Sequence, residues 1–214
     1  MDNPFSVIIP RDNDYLINED DLKKISEKIR EKIKERKLII LVGDYGSGKS
    51  IYLKRLFKRL KTKKEILYFT DAIVPILENK VPVKNKTIFI DDFDLMQGLG
   101  EKQRERLTEA MLKLISSGMI IIIACRKDTL KALFETNPLL RSKSQHYKIP
   151  KLTFDEVKKL VIHRLNMART TRTNSIEPFT EKELRMIYHK AGGNPRLVLM
   201  LLSPLYEQRM MMRE

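Results

Sequence analysis

Residues 43–50 read Gly43-Asp44-Tyr45-Gly46-Ser47-Gly48-Lys49-Ser50, a complete G-x-x-x-x-G-K-[ST] phosphate loop. Glycines let such a loop curl until successive N–H groups point inward at phosphate oxygens, and the helix that follows adds its positive end. Lys49 is expected to reach the β- and γ-phosphates, and the Ser50 hydroxyl to ligate Mg²⁺. Together with Ile51, the first residue past the signature, these positions form the expected nucleotide site. A second constellation lies downstream. Thr87-Ile88-Phe89-Ile90 carries Asp91-Asp92 to the end of an apolar strand. Asp91 is expected to hold Mg²⁺, directly or through water, and Asp92 to polarise the attacking water. By itself IDDFD also reads as a strand end followed by a helix cap. Its pairing with an upstream phosphate loop makes it a Walker B segment.

These groups need rigid carriers. The run Leu38–Val42 predicts a strand entering the loop, and Leu53, Leu56, Phe57 and Leu60 share one side of the helix leaving it. Before them, Leu22, Ile25, Ile29 and Ile33 mark an amphipathic helix. Further strands are predicted over 65–69, 87–92, 119–124 and 146–149. Helices are predicted over 71–79, along Leu107, Ala110, Met111, Leu114 and Ile115, and near 130–135. Strand-helix alternation means a five-stranded parallel sheet covered on both faces, with ligands at the carboxyl ends of the strands. Beyond Pro150 nothing reads as strand. Three helices are expected there: one through Phe154, Val157, Leu160, Val161 and Leu165, one through Leu184, Ile187 and Tyr188, and one from Leu197 to about Leu205. The expected organisation is an α/β nucleotide-binding domain over 1–149 and a three-helix lid over 150–214. Met210-Met211-Met212 reads as a helix tail, frayed or covered by a partner.

Composition narrows the class. The chain has 214 residues, 33% of them charged and 42% hydrophobic, which suits one globular α/β core with a small appendage. No apolar run is long enough to span a bilayer, and the N-terminus has no signal-peptide h-region. A single cysteine, Cys125, rules out an internal disulfide, so a cytoplasmic location is expected. Asn85-Lys86-Thr87 is then a chance glycosylation triplet. His146, His163 and His189 are scattered without cysteine partners at zinc spacing. Forty-two Lys and Arg against 28 Asp and Glu give a net charge of +14. The stretch LKRLFKRLKTKK sets Lys54, Arg55, Lys58, Arg59 and Lys61 around one helix without an acid. That surface is read either as a DNA contact or as the solvated face of a lysine-rich protein.

The order LVGDYGSGKS, TIFIDDFD, IIIIACRKD, NPLLRSKSQHYKI and AGGNPRLVLMLL resembles that of AAA+ ATPases. It is most similar to the origin-recognition initiator branch and to related transposition-helper and STAND-type signalling ATPases, over about residues 15–205. The resemblance implies ATP and Mg²⁺ as ligands, ATP hydrolysis, and assembly into homo- or hetero-oligomers. It places the sensor-one position at the end of the fourth strand, where Cys125 and Arg126 are the candidates. Arg126 is expected to touch the γ-phosphate, as in signalling relatives whose strand ends in Thr-Thr-Arg. Arg141 falls at the position of an arginine finger reaching a neighbour's site, with Lys143 its nearest rival. Arg196, in Gly-Asn-Pro-Arg, matches sensor two. The base-binding pocket is sought around Tyr15–Ile17. Where the family places Glu after the metal-binding acid this chain has Asp92, one methylene shorter, so slow turnover is expected.

Two functions compete. One is an ATPase linked to DNA replication, recombination or another DNA process. No winged-helix segment is expected after the lid, so DNA is expected to meet the basic helix or a separate subunit. The other is a nucleotide-dependent protein-interaction switch, or an ATP-binding subunit of a larger machine, without DNA contact.

Overall fold

The computed structural model describes residues 3–6, 18–32, 35, 37–60, 64–78 and 87–212. Lys61, Tyr15–Ile17 and Asn85-Lys86 lie outside them. The chain divides into two compact units: Asp20–Tyr45 with Lys49–Ile149, and Met1–Glu19 with Gly46–Gly48 and Pro150–Glu214.

The first unit is α/β. Helix α1 (Glu19–Lys32), most of which belongs to it, buries Leu22, Ile25 and Ile29 at helical spacing. Strand β1 (Leu38–Val42) leads into the phosphate loop and α2 (Lys49–Arg59) leaves it, burying Tyr52, Leu53 and Leu56. Then follow β2 (Lys64–Tyr68), α3 (Phe69–Leu77), β3 (Thr87–Asp91), a 3-10 helix (Phe93–Gly98), α4 (Glu101–Ser116), β4 (Ile120–Cys125), α5 (Lys127–Thr136), α6 (Leu139–Lys143) and β5 (Ser144–Lys148). Among the described residues the sheet has five strands, all parallel, in the order β2-β3-β4-β1-β5. Strands β3 and β4 are continuous apolar runs because both sheet faces are covered there. β5 is polar, Ser144-Gln145-His146-Tyr147-Lys148, because it lies at a sheet edge and bonds β1 alone. Its lack of an apolar run also explains why it begins two residues earlier than 146.

The strand order fixes the site. β4 is inserted between β1 and β3, with Val42 opposite Cys125 and Ile90 opposite Ile123. The chain therefore leaves β1, β3 and β4 at nearly one level, on one side of the sheet. The 3-10 helix, which the apolar spacing does not foretell, extends this edge before α4 begins.

The second unit is helical: α7 (Phe154–Ala168), α8 (Glu181–Ala191) and α9 (Pro195–Met211). Thr153 with Glu156 and Thr180 with Glu183 form reciprocal capping boxes at the starts of α7 and α8. Asn194 caps α9, which runs past Pro204 and beyond the expected Leu205. Gly193 has φ +73°, and a Cβ there would lie 2.4 Å from the Leu152 carbonyl oxygen, so only glycine fits. The N-terminal segment departs from the expected 1–149 boundary. Phe5 is fully buried in the helical core, edge-to-face on Phe179 and Tyr206 with 5.5 Å between centroids in each pair. The Asn3 side chain donates to Ser203 Oγ at 2.8 Å. Loss of apolar ring area from water draws this segment to the helices. Within the same unit, the Arg196 N–H donates to Gly46 O at 3.3 Å.

Candidate nucleotide-binding site

Backbone geometry at the phosphate loop follows from its glycines. Gly46 (φ +75°) and Gly48 (φ +89°) take left-handed conformations that a side chain resists, and a Cβ at Gly46 would meet Arg196 Cβ at 2.6 Å. The Lys49 ammonium donates to the carbonyl oxygens of Gly43 and Asp44 at 3.2 and 3.3 Å, so it is folded back over its own loop. Gly43 N–H donates to Cys125 O at 3.1 Å, tying the loop to the end of β4. The Ser47 hydroxyl is buried with no hydrogen-bond partner. Tyr45 stands 68% exposed. Half-buried Ile51 continues α2.

The acids occupy the next exit from the sheet. Asp91 is the last residue of β3 and only 4% exposed. Its Oδ1 accepts from the Ser50 hydroxyl and from the Asp92 N–H, both at 3.0 Å. Burial pushes the Asp91 carboxyl above its usual range, while those two donors and the charge of Lys54 pull it part of the way back. Lys54 lies one turn along α2 from Ser50, so one member of the basic stretch acts electrostatically on the site. Asp92 is exposed and is the one non-glycine with positive φ among the described residues (φ 53°). Its backbone turns the chain from β3 into the 3-10 helix.

The third acid of IDDFD carries more contacts than either. Asp94 Oδ1 accepts from the Arg126 N–H and from the Thr129 hydroxyl, both at 2.7 Å. Its Oδ2 lies 3.5 Å from Lys49 Nζ and 3.7 Å from Arg126 Nε. Arg126 also pairs with Asp128 at 3.3 Å and donates to Gln97 Oε1 at 3.3 Å. The structure thus brings together Lys49, Ser50, Asp91, Asp94 and Arg126. No expectation attached to Asp94, although its place three residues after Asp91 was visible. Of the two sensor-one candidates, Cys125 is fully buried with its thiol pushed up to about 12, chiefly by burial, which makes it an inert strand end. Arg126 is the one whose side chain meets the site.

Other candidates stand apart. Arg141, on α6, lies over the Phe134 ring at 5.4 Å, and Lys143 ends the same short helix, exposed. Arg196 is the second residue of α9, its N–H held by Asn194 Oδ1 at 3.1 Å. Lys58 is exposed, and Arg59 O accepts from Arg30 at 3.0 Å.

The residues fit a magnesium-bound polyphosphate. An unpaired buried hydroxyl, left-handed glycines and a lysine held over the loop describe an anion cradle. The Ser50 hydroxyl and the Asp91 carboxylate, 3.0 Å apart, form an oxygen donor pair suited to a hard cation, which would neutralise phosphate charge there.

Comparison with known proteins gives a consistent outcome. Residues 23–168 match the family described as Novel STAND NTPase 3. The chain is 33% identical over 91 residues to the tRNA threonylcarbamoyladenosine biosynthesis protein TsaE of Aquifex aeolicus, covering 40% of this chain and 68% of that protein. Among solved structures, Orc1 of Aeropyrum pernix in complex with DNA is similar at TM-score 0.57 and 14% identity, over 96% of this chain and 62% of that one. The S. cerevisiae Hsp104–ADP complex is similar at TM-score 0.60 and 15% identity, over 86% of this chain and 30% of that one. The chain spans less than two thirds of either, and at such identities the likeness shows a shared AAA+-like fold. No helix of the described residues is long and apolar enough to cross a membrane. With its phosphate loop, its Walker B acids and a match that covers most of the sequence, the chain belongs to the Novel STAND NTPase 3 family of P-loop NTPases.

Proposed function

We propose that this protein is a slow, Mg²⁺-dependent ATPase that works as a protein-interaction switch, its nucleotide state governing association with a partner or with further copies of itself. The observation that carries the reading is the shared carboxylate: Asp94 joins Lys49 of the phosphate loop to Arg126 at the end of β4. A strand-end arginine so placed changes partners when the terminal phosphate arrives or leaves, which converts hydrolysis into a local rearrangement. Membership of a STAND family favours this reading over a motor. Within it, Ser50 and Asp91 hold Mg²⁺, Asp92 orients the water, and Arg196 couples the helical domain to nucleotide state. Arg141 acts as a finger across an oligomer contact. Calorimetry with Mg²⁺–ATP tests the core of the proposal: wild type binds, Lys49→Ala does not, and steady-state turnover is slow. Fast turnover by a monomer, unchanged by Arg141→Ala, refutes both the slow switch and the finger.

A DNA-linked role is the second reading, favoured by the net charge of +14 and by exposed Lys58 on α2. It requires duplex binding whose affinity falls steeply with salt yet survives near physiological ionic strength. Loss of all binding there leaves the positive surface as solvation alone.

A further inference from the structure

We infer that Asp94 is a positioning residue that serves as an internal counter-anion: its Oδ2 neutralises Lys49 and Arg126 when no terminal phosphate is present, and thereby sets the preference for triphosphate over diphosphate. The inference rests on the nucleotide-binding reading above. The two oxygens of Asp94 have different tasks. Oδ1 is saturated by the Arg126 N–H and the Thr129 hydroxyl at 2.7 Å each. Thr129 is itself fully buried and accepts from Gln97 Nε2 at 2.9 Å, so this side of the carboxylate is fixed to the β4–α5 turn. Oδ2 faces two cations at 3.5 and 3.7 Å, ion pairs beyond close hydrogen-bonding distance. Both cations have alternative holds: Lys49 on the loop carbonyls, Arg126 on Asp128 and Gln97. They can therefore leave Oδ2 without being stranded.

A phosphate oxygen approaching Lys49 and Arg126 competes with Oδ2 for the same positive charge. A diphosphate engages Lys49 but has no terminal group to offer Arg126. The competition is therefore felt more by a triphosphate, and removing the Oδ2 charge favours it selectively. Asp94 and Arg126 are 23% and 39% exposed at the side chain, so solvent screens the pair and the effect is a few-fold.

The test is nucleotide affinity measured by fluorescence with N-methylanthraniloyl ATP and ADP at two salt concentrations. Asp94→Asn keeps an oxygen acceptor for Arg126 N–H and Thr129 while deleting the charge. The expected result is ATP binding about two- to fivefold tighter, ADP changed less, and the difference shrinking at high salt. Arg126→Gln retains the backbone donor and is expected to weaken ATP about as much with ADP unchanged. In that background Asp94→Asn no longer shifts the ratio. An equal change for both nucleotides, or an unaltered ratio, overturns the inference. Should Asp94→Asn not fold, Asp94→Glu, which keeps the charge but shifts it relative to Lys49 and Arg126, is read by the same ratio, and an unaltered ratio there overturns the inference. Wild type binding neither nucleotide overturns the nucleotide reading itself, whereas binding with an insensitive ratio overturns this inference only.

Discussion

Asp91→Asn separates what the site costs the fold from what it gives the ligand. Asp91 is 4% exposed, and its carboxyl is raised by burial more than Ser50 and Asp92 lower it. A carboxylate whose folded pKa exceeds its unfolded value binds its proton more tightly when folded, so the ionised form subtracts stability at neutral pH. That penalty is full above the folded pKa and absent below the unfolded one. Asparagine keeps an acceptor oxygen for the Ser50 hydroxyl and the Asp92 N–H. Each bond drops from about 1.5–3 kcal/mol for a charged acceptor to about 0.5–1.5 for a neutral one. Against this loss of about 2–3 kcal/mol stands removal of a desolvation penalty of several kcal/mol. The net gain is about 1–2 kcal/mol, or roughly 2–8 °C in melting temperature for a chain of this size. Scanning fluorimetry of nucleotide-free protein should show that rise at neutral pH and its disappearance in acid, where wild-type Asp91 is itself neutral. The same variant should lose the extra stabilisation that Mg²⁺ adds to nucleotide binding. A substitution that lowers the melting temperature at neutral pH and leaves it unchanged in acid refutes the argument, because it would mean that Asp91 is held as a net stabilising anion.

Three further outcomes follow from the helical unit. Phe5→Ala removes a fully buried ring with two aromatic neighbours and should cost about 3–5 kcal/mol, read as a lower urea midpoint and faster proteolysis of the C-terminal helices. Gly193→Ala forces a Cβ against the Leu152 carbonyl at positive φ and should cost about 2–3 kcal/mol by chemical denaturation; a neutral result would mean the turn can relax. Glu183 is held below the usual carboxylate range, first by the Thr180 N–H and hydroxyl and then by Arg209. Its contribution is complete above about pH 4.3, the ordinary glutamate value, and is lost as pH falls through the lowered folded one. Glu183→Gln should therefore flatten the acid limb of a stability–pH curve.

What could be read in advance was local. The phosphate loop is legible because glycines, lysine and serine sit at fixed offsets in one short segment after an apolar strand. Asp91 is legible because an ionisable residue ending a run as apolar as Ile88-Phe89-Ile90 needs a chemical reason. Asp94 was hidden because its partners, Arg126 and Thr129, lie 32 and 35 residues away and meet it only since β4 neighbours β3. No periodicity announces strand order. Phe5 was hidden for the same reason: a single aromatic in a segment without helical or strand spacing carries no sign of where it docks. The 3-10 helix escaped because the spacing that reveals a helix needs two or more turns, and Phe93–Gly98 is too short.

Asn3 bonded to Ser203 closes a loop of some two hundred residues, and this bears on how the molecule is made and cut. A ribosome delivers the whole α/β part before the last helices exist, so an early-emerging phenylalanine waits, solvated, for its socket to be synthesised. A fragment expressed from residue 150 onward would be born with an open socket, missing its fully buried ring. Dissection of this protein into independent halves therefore calls for transplanting the first few residues onto the C-terminal piece, by circular permutation or a short linker, rather than for a single cut.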